Sequence, residues 1–157
     1  MLDELRRKLL KGGVAALLAP LVGSGLLIPT NVLAAEWNRS AFGAHNISDA
    51  LKNYGSGNAA ESRDIQINAP EIAENGAKVE VEITCNIENT RSLAIFADKN
   101  PMPLCSVIEF SGAALPYARV QLKLAETTQV RALVKTLDGK TYVAFREIKV
   151  TLGGCGG

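Results

Sequence analysis

The chain has 157 residues, the length of one domain, of which 47% are hydrophobic, 21% charged and 5% aromatic. That apolar share excludes a disordered chain, and three cysteines are too few for a disulfide-dense miniprotein. A formal net charge of +1 leaves no basic surface for nucleic acid, and a single histidine excludes a multi-histidine metal site.

Residues 1–35 read as an export signal rather than as part of the fold. Arg6-Arg7-Lys8-Leu9-Leu10-Lys11 is a charged segment that opens on adjacent arginines. An apolar stretch follows, softened by Gly12, Gly13, Gly23, Gly25, Pro20 and Pro29, and it closes on the small residues Ala34-Ala35. Charged, apolar and small-residue regions in that order mark a bacterial export signal, and Arg6 with Arg7 points to the twin-arginine route. The competing reading is an uncleaved membrane anchor, since the span is long enough to cross a bilayer. Its glycines and prolines weaken it as a membrane helix, and no stable anchor is expected. The expected destination is the periplasm, where disulfides persist. Cleavage removes four bases (Arg6, Arg7, Lys8, Lys11) and two acids (Asp3, Glu4), leaving a chain of net charge about −1.

Residues 36–62 form an N-terminal segment with one short helix over 46–55. Ser48 is the expected cap, Ile47, Leu51 and Tyr54 share a face, and Gly55 ends it. Gly55-Ser56-Gly57-Asn58 is a linker. From residue 63 to 152 the period becomes two. Asp64–Ile67 alternates and stops at Pro70. Lys78–Cys85 alternates with Val79, Val81, Ile83 and Cys85 on the buried side, which leaves Glu80 and Glu82 as its solvated side. Leu93–Ala97 is a continuous apolar run that suits a strand covered on both faces. Residues 104–110, 117–124, 129–137 and 141–152 are further strands, and Asp138-Gly139 marks a hairpin between the last two. About seven short strands with turns between them predict an all-β fold, an immunoglobulin-like antiparallel β-sandwich. The doubly apolar run and the low aromatic content predict that the sandwich needs a partner to be stable.

The segment Gly153-Gly154-Cys155-Gly156-Gly157 carries the chemistry. Glycines on both sides leave the cysteine on a thin, flexible arm. From Leu152 three residues reach roughly 10 Å when extended, enough to put a sulfur into a narrow channel of another protein. A thiolate is a strong nucleophile and can hold sulfur covalently as a persulfide. The bland reading is a frayed terminus with an incidental cysteine.

These residues resemble the SoxY family, the sulfur-carrier subunits of the thiosulfate-oxidising Sox system. The ending Gly153-Gly154-Cys155-Gly156-Gly157 is similar to the family's C-terminal arm. Ala69-Pro70-Glu71-Ile72-Ala73-Glu74-Asn75-Gly76-Ala77 resembles its first sandwich motif. Lys99-Asn100-Pro101-Met102-Pro103-Leu104 resembles its Lys-Asn-Pro-x-Pro loop, and Val130–Lys135 its penultimate strand. The resemblance implies a carrier and not an enzyme, with no cofactor of its own. Cys155 would be the covalent attachment site, and Gly153, Gly154, Gly156 and Gly157 would give access to it. The implied partners are a SoxZ-like sandwich subunit in a heterodimer and a haem c sulfur-conjugating enzyme of SoxAX type. A SoxB-like dimanganese hydrolase is the next, and the remaining sulfane sulfur is either oxidised by a SoxCD-like sulfane dehydrogenase or, where that enzyme is missing, transferred elsewhere.

Cys85 and Cys105 lie outside the arm motif. They could form an intrachain structural disulfide, bond to the partner subunit, or remain small buried hydrophobes. His45 is expected at the surface or at a cap rather than as a ligand. Asn100-Pro101-Met102-Pro103 is expected to be a rigid turn, with recognition by enzymes as the alternative. Two other functions compete with the carrier. One is a secreted scaffold module whose Cys155 forms an intermolecular structural disulfide. The other is a thiol oxidoreductase, disfavoured by the lack of a Cys-x-x-Cys pair.

Overall fold

The computed structural model describes residues 38–152. The expected export signal over residues 1–35 and the expected arm at Gly153–Gly157 lie outside the described residues. Two short helices come first, α1 (Arg39–Phe42) and α2 (Ile47–Tyr54). The expected helix is there, but its N-cap is Asn46, whose side chain accepts the Asp49 N–H at 2.8 Å, and not Ser48. Asn46 wins because its backbone is extended, as a cap requires, whereas Ser48 already lies inside the helix. Gly55 closes α2 at φ 77°, and its N–H bonds back to Leu51 and Lys52.

Nine strands follow among the described residues, against about seven expected. They are β1 (Ala60–Glu61), β2 (Ile65–Asn68), β3 (Ile72–Asn75), β4 (Val79–Cys85), β5 (Thr90–Ala97), β6 (Leu104–Glu109), β7 (Tyr117–Leu122), β8 (Thr128–Thr136) and β9 (Thr141–Leu152). The two unexpected strands, β1 and β3, bury a single residue between them, Ala73, so neither carries an apolar alternation. One sheet runs β1-β9-β8-β5-β6 with β3 also on β9, and the other runs β2-β4-β7. Both short strands pair with β9 in parallel, β1 at Tyr142–Val143 and β3 at Lys149–Leu152. Between them the chain crosses to the other sheet as β2 and returns past Pro70. The fold is an immunoglobulin-like sandwich, as the spacing predicts.

The core lies between the sheets. Val79, Val81, Ile83 and Cys85 of β4 face Leu93, Ile95 and Ala97 of β5 and Val130, Ala132 and Val134 of β8. The other side of β5 is covered too. Ala94 and Phe96, with Leu133, pack against Ala41, Ala50 and Tyr54 of the helices. Phe96 meets Tyr54 edge to face, with ring centroids 5.9 Å apart. The doubly apolar run is therefore covered within the chain. The inference from it to a required partner does not hold.

Candidate functional site: the end of the last strand

The described residues that lead up to Gly153 are the end of β9, the longest strand described. From Thr141 to Ile148 it pairs with β8, whose first residue, Thr128, lies opposite Ile148. Residues 149–152 run beyond that ladder. Their backbone is held by β3 instead, in the register Ile72↔Lys149, Ala73↔Val150 and Asn75↔Leu152. Lys149 donates to the Glu71 carbonyl at 2.9 Å, and Gly76 donates to the Leu152 carbonyl at 2.7 Å. Gly76 in turn accepts from Leu124 at 2.7 Å, so one residue ties the arm's root to the chain just after β7. Asn75 makes that corner by accepting the Ala77 N–H on its side chain, an Asx turn that the Asn-Gly pair announces.

The Lys99–Pro103 loop lies at the same end of the sandwich. Asn100 is its anchor. Its amide nitrogen donates to the Lys123 carbonyl at 2.7 Å, and its amide oxygen accepts from Ala125 at 3.0 Å. The His45 ring lies 3.3 Å from the Pro101 carbonyl and is exposed, as a surface histidine should be. Met102 is 55% exposed at the loop's tip. The rigid-turn reading of this motif agrees with these bonds. Beside the loop, Asp98 takes both arms of the Arg131 fork at 2.6 Å, and the guanidinium lies 5.0 Å from the Phe145 ring centre.

Cys85 and Cys105 are at opposite ends of the molecule. Cys85 closes β4, and its N–H donates to Pro116 just before β7 begins. Cys105 is the second residue of β6, 3.9 Å from the Asn100 amide that bonds Lys123 beyond β7's end. The length of β7 separates them, on the order of 20 Å, where a disulfide needs Cα atoms within about 7 Å. They are not bonded to each other. Cys85 is a buried free thiol 3.4 Å from the Thr90 hydroxyl, the small-hydrophobe alternative. Cys105 is half-buried, with its sulfur 3.4 Å from the Pro103 carbonyl.

Glu80 and Glu82 sit on the outer side of β4 as expected. Glu80 pairs with Arg119 at 2.6 Å, both largely exposed. Glu82 accepts from Tyr117 and from Asn68, and these bonds hold its carboxyl below the usual range while the Tyr117 phenol is pushed up. Among the described residues no three His, Cys, Asp or Glu side chains gather to hold a metal ion.

What these parts define is an immunoglobulin-like sandwich whose last strand is carried past its β8 ladder and paired there with β3. The family model for SoxY, sulfur oxidation protein SoxY, matches residues 51–155, more than half of the chain. The structure also superposes on the sulfur carrier protein SoxY from Chlorobium limicola f thiosulfatophilum. That match has 34% identity and a TM-score of 0.60, over 67% of this chain and 94% of that one. The chain belongs to the SoxY family. A point variant of the superoxide reductase (neelaredoxin) from Ignicoccus hospitalis shares the fold alone, at 22% identity and TM-score 0.50 over 58% of this chain and 82% of that one. No curated protein matches the chain.

Proposed function

We propose that this chain is a covalent sulfur carrier of thiosulfate oxidation and that Cys155 is its attachment site. The observation that carries the reading is the family match, which reaches from residue 51 to residue 155 and so includes that cysteine. The 34%-identical protein is itself named a sulfur carrier. Loading joins the cysteine sulfur to the sulfane sulfur of thiosulfate. The thiol loses its proton, one S–S bond forms between the two sulfurs, and the two electrons released must be taken up by an oxidising conjugating partner, whose haem groups would accept them one at a time. Hydrolysis by a second partner then breaks the bond between sulfane and sulfonate sulfur. Water supplies the oxygen, sulfate leaves with release of two protons, and a persulfide stays on Cys155.

The twin-arginine pair Arg6-Arg7 and the small residues Ala34-Ala35 support export to the periplasm. A SoxZ-like sandwich in a heterodimer is the partner the family implies. In this reading the chain contributes no redox or hydrolytic step of its own. The test is intact mass of the purified chain after incubation with thiosulfate and its conjugating partner. The expected result is a mass increase of one sulfane sulfur, with or without a sulfonate, mapped to Cys155 and lost in Cys155→Ser. Loading that survives Cys155→Ser moves the site elsewhere. Disulfide dimers through Cys155 with no sulfur adduct establish the scaffold reading instead.

A further inference from the structure

The last four residues of β9 lie past the end of β8, where a strand would ordinarily fray. Two threonine hydroxyls there add to the backbone pairing with β3. On the β8 side the chain bends away at residues 125–127, and the Thr127 hydroxyl takes over the role of backbone. It accepts the Val150 N–H at 3.0 Å and lies 3.5 Å from the Val150 carbonyl. On the β3 side the Thr151 hydroxyl donates to the Glu74 carbonyl at 2.8 Å, with the Ala73 carbonyl at 3.5 Å. Apolar packing here is confined to Ala73 and the half-buried Val150, which sit in or against the core, while Ile72 is 56% exposed and Leu152 is 70% exposed. The end of β9 is therefore held by the β3 pairing and by these side-chain hydrogen bonds, with only Ala73 and Val150 tying it to the core.

We infer that Thr127 and Thr151 are positioning residues that fix where the fold ends and the arm begins. The inference rests on the reading of Cys155 as the attachment site and adds the radius within which it works. With the root held at Leu152, three residues carry Cys155 at most about 10 Å. With the root released back to Ile148, seven residues carry it about 24 Å, and the effective concentration of the thiol at any fixed target falls. A carrier that inserts its sulfur into a partner's channel needs the short, fixed radius.

The test measures that radius without using sulfur chemistry. Arg146 is exposed and lies six residues back along β9, about 20 Å from Leu152. A cysteine introduced by Arg146→Cys is beyond Cys155 from a held root, since arm and disulfide together span about 16 Å. It falls within reach once the root is released. Diamide oxidises the pair in dilute protein, and peptide mapping identifies the 146–155 link. In the Arg146→Cys chain the link forms slowly. Adding Thr127→Val or Thr151→Val speeds it about fivefold, the effect of one ordinary hydrogen bond, and Thr127→Ser restores the slow rate. Amide exchange at Val150 rises by a similar factor in Thr127→Val and stays low at Ile95 in the core. Equal linking rates in all variants, or an unchanged Val150 amide, overturn the inference. If Thr127→Val does not fold, Thr151→Val, at an exposed strand position that suits valine, decides alone. Sulfur loading of the same chains keeps the two readings apart. Failure to load the unaltered chain overturns the carrier reading, whereas normal loading with equal linking rates overturns this one.

Discussion

Asp98 and Arg131 show how one side chain can hold a loop in place. Their side chains are 15% and 23% exposed, and both N–H···O bonds of the fork are formed. The pair ties the end of β5, where the Lys99–Pro103 loop begins, to β8. Lysine keeps the charge but loses the planar fork and the stacking on Phe145. Arg131→Lys should cost about 1–2 kcal/mol, read from urea unfolding at constant m. The glycines around Cys155 have their expected effect on access. Gly154→Val adds bulk beside the sulfur and stiffens the backbone. Alkylation of the thiol by a small reagent should stay within about twofold, while turnover with the partner enzymes falls steeply. Equal slowing of both rates would mean that the glycines act on the thiol itself.

At the scale of elements, the β8–β9 hairpin is held by charge as well as by backbone. Its loop contains Leu137 as well as the expected Asp138-Gly139, and Gly139 takes φ 83°. Asp138 accepts from Lys140 at 2.8 Å and from the Thr136 hydroxyl, and these two bonds lower its carboxyl from 3.8 to about 2. A carboxyl depressed by folding stabilises above its unfolded value and loses that contribution as pH falls through its folded value. The melting temperature of Asp138→Asn should therefore lie below that of the parent near neutral pH. The gap should close between about pH 4 and 2. A gap that persists below pH 2 would exclude the carboxylate as its cause. The helix α2 depends on its last residue in the same local way. Gly55→Ala forces a side chain into the left-handed region at φ 77°, though its Cβ would meet only the Lys135 ammonium at an ordinary 3.6 Å. The cost is backbone strain, about 1–2 kcal/mol by denaturant titration.

Across the whole molecule, two apolar layers meet on β5. Leu93, Ile95 and Ala97 face the other sheet, while Ala94 and Phe96 face the helices, and all five are fully buried. Such a chain has a core of its own, of the kind that domains of this size sustain. The chain from residue 36 onward should unfold in one cooperative transition without a partner, with near- and far-ultraviolet circular dichroism coinciding. Separated transitions, or a lost near-ultraviolet signal at neutral pH, would show that the sandwich is incomplete alone. Binding of a SoxZ-like subunit would then be a matter of exposed surface, to which Met102, Leu115 and Leu137 contribute.

The sequence by itself determined whatever repeats over a few residues. Alternation in Lys78–Cys85 identified β4 and its buried face, and the unbroken run at Leu93–Ala97 identified a strand covered on both sides. Ile47, Leu51 and Tyr54 identified the helix face, and Gly153–Gly157 named the cysteine on which the proposed chemistry rests. Only the tertiary structure decided what depends on distant segments meeting. β1 and β3 exist because β9 offers them an open edge, not because their own residues alternate. Cys85 and Cys105 lie apart because the end of β4 and the start of β6 fall at opposite ends of the sandwich, a fact with no trace in their spacing. Thr127 reads as a residue between strands and Thr151 as an ordinary strand residue, and their hydroxyls acquire a role only where β9 outruns β8. Local patterns record the burial of one face, whereas sheet order and strand ends are settled by which edges remain to be satisfied once the core has closed.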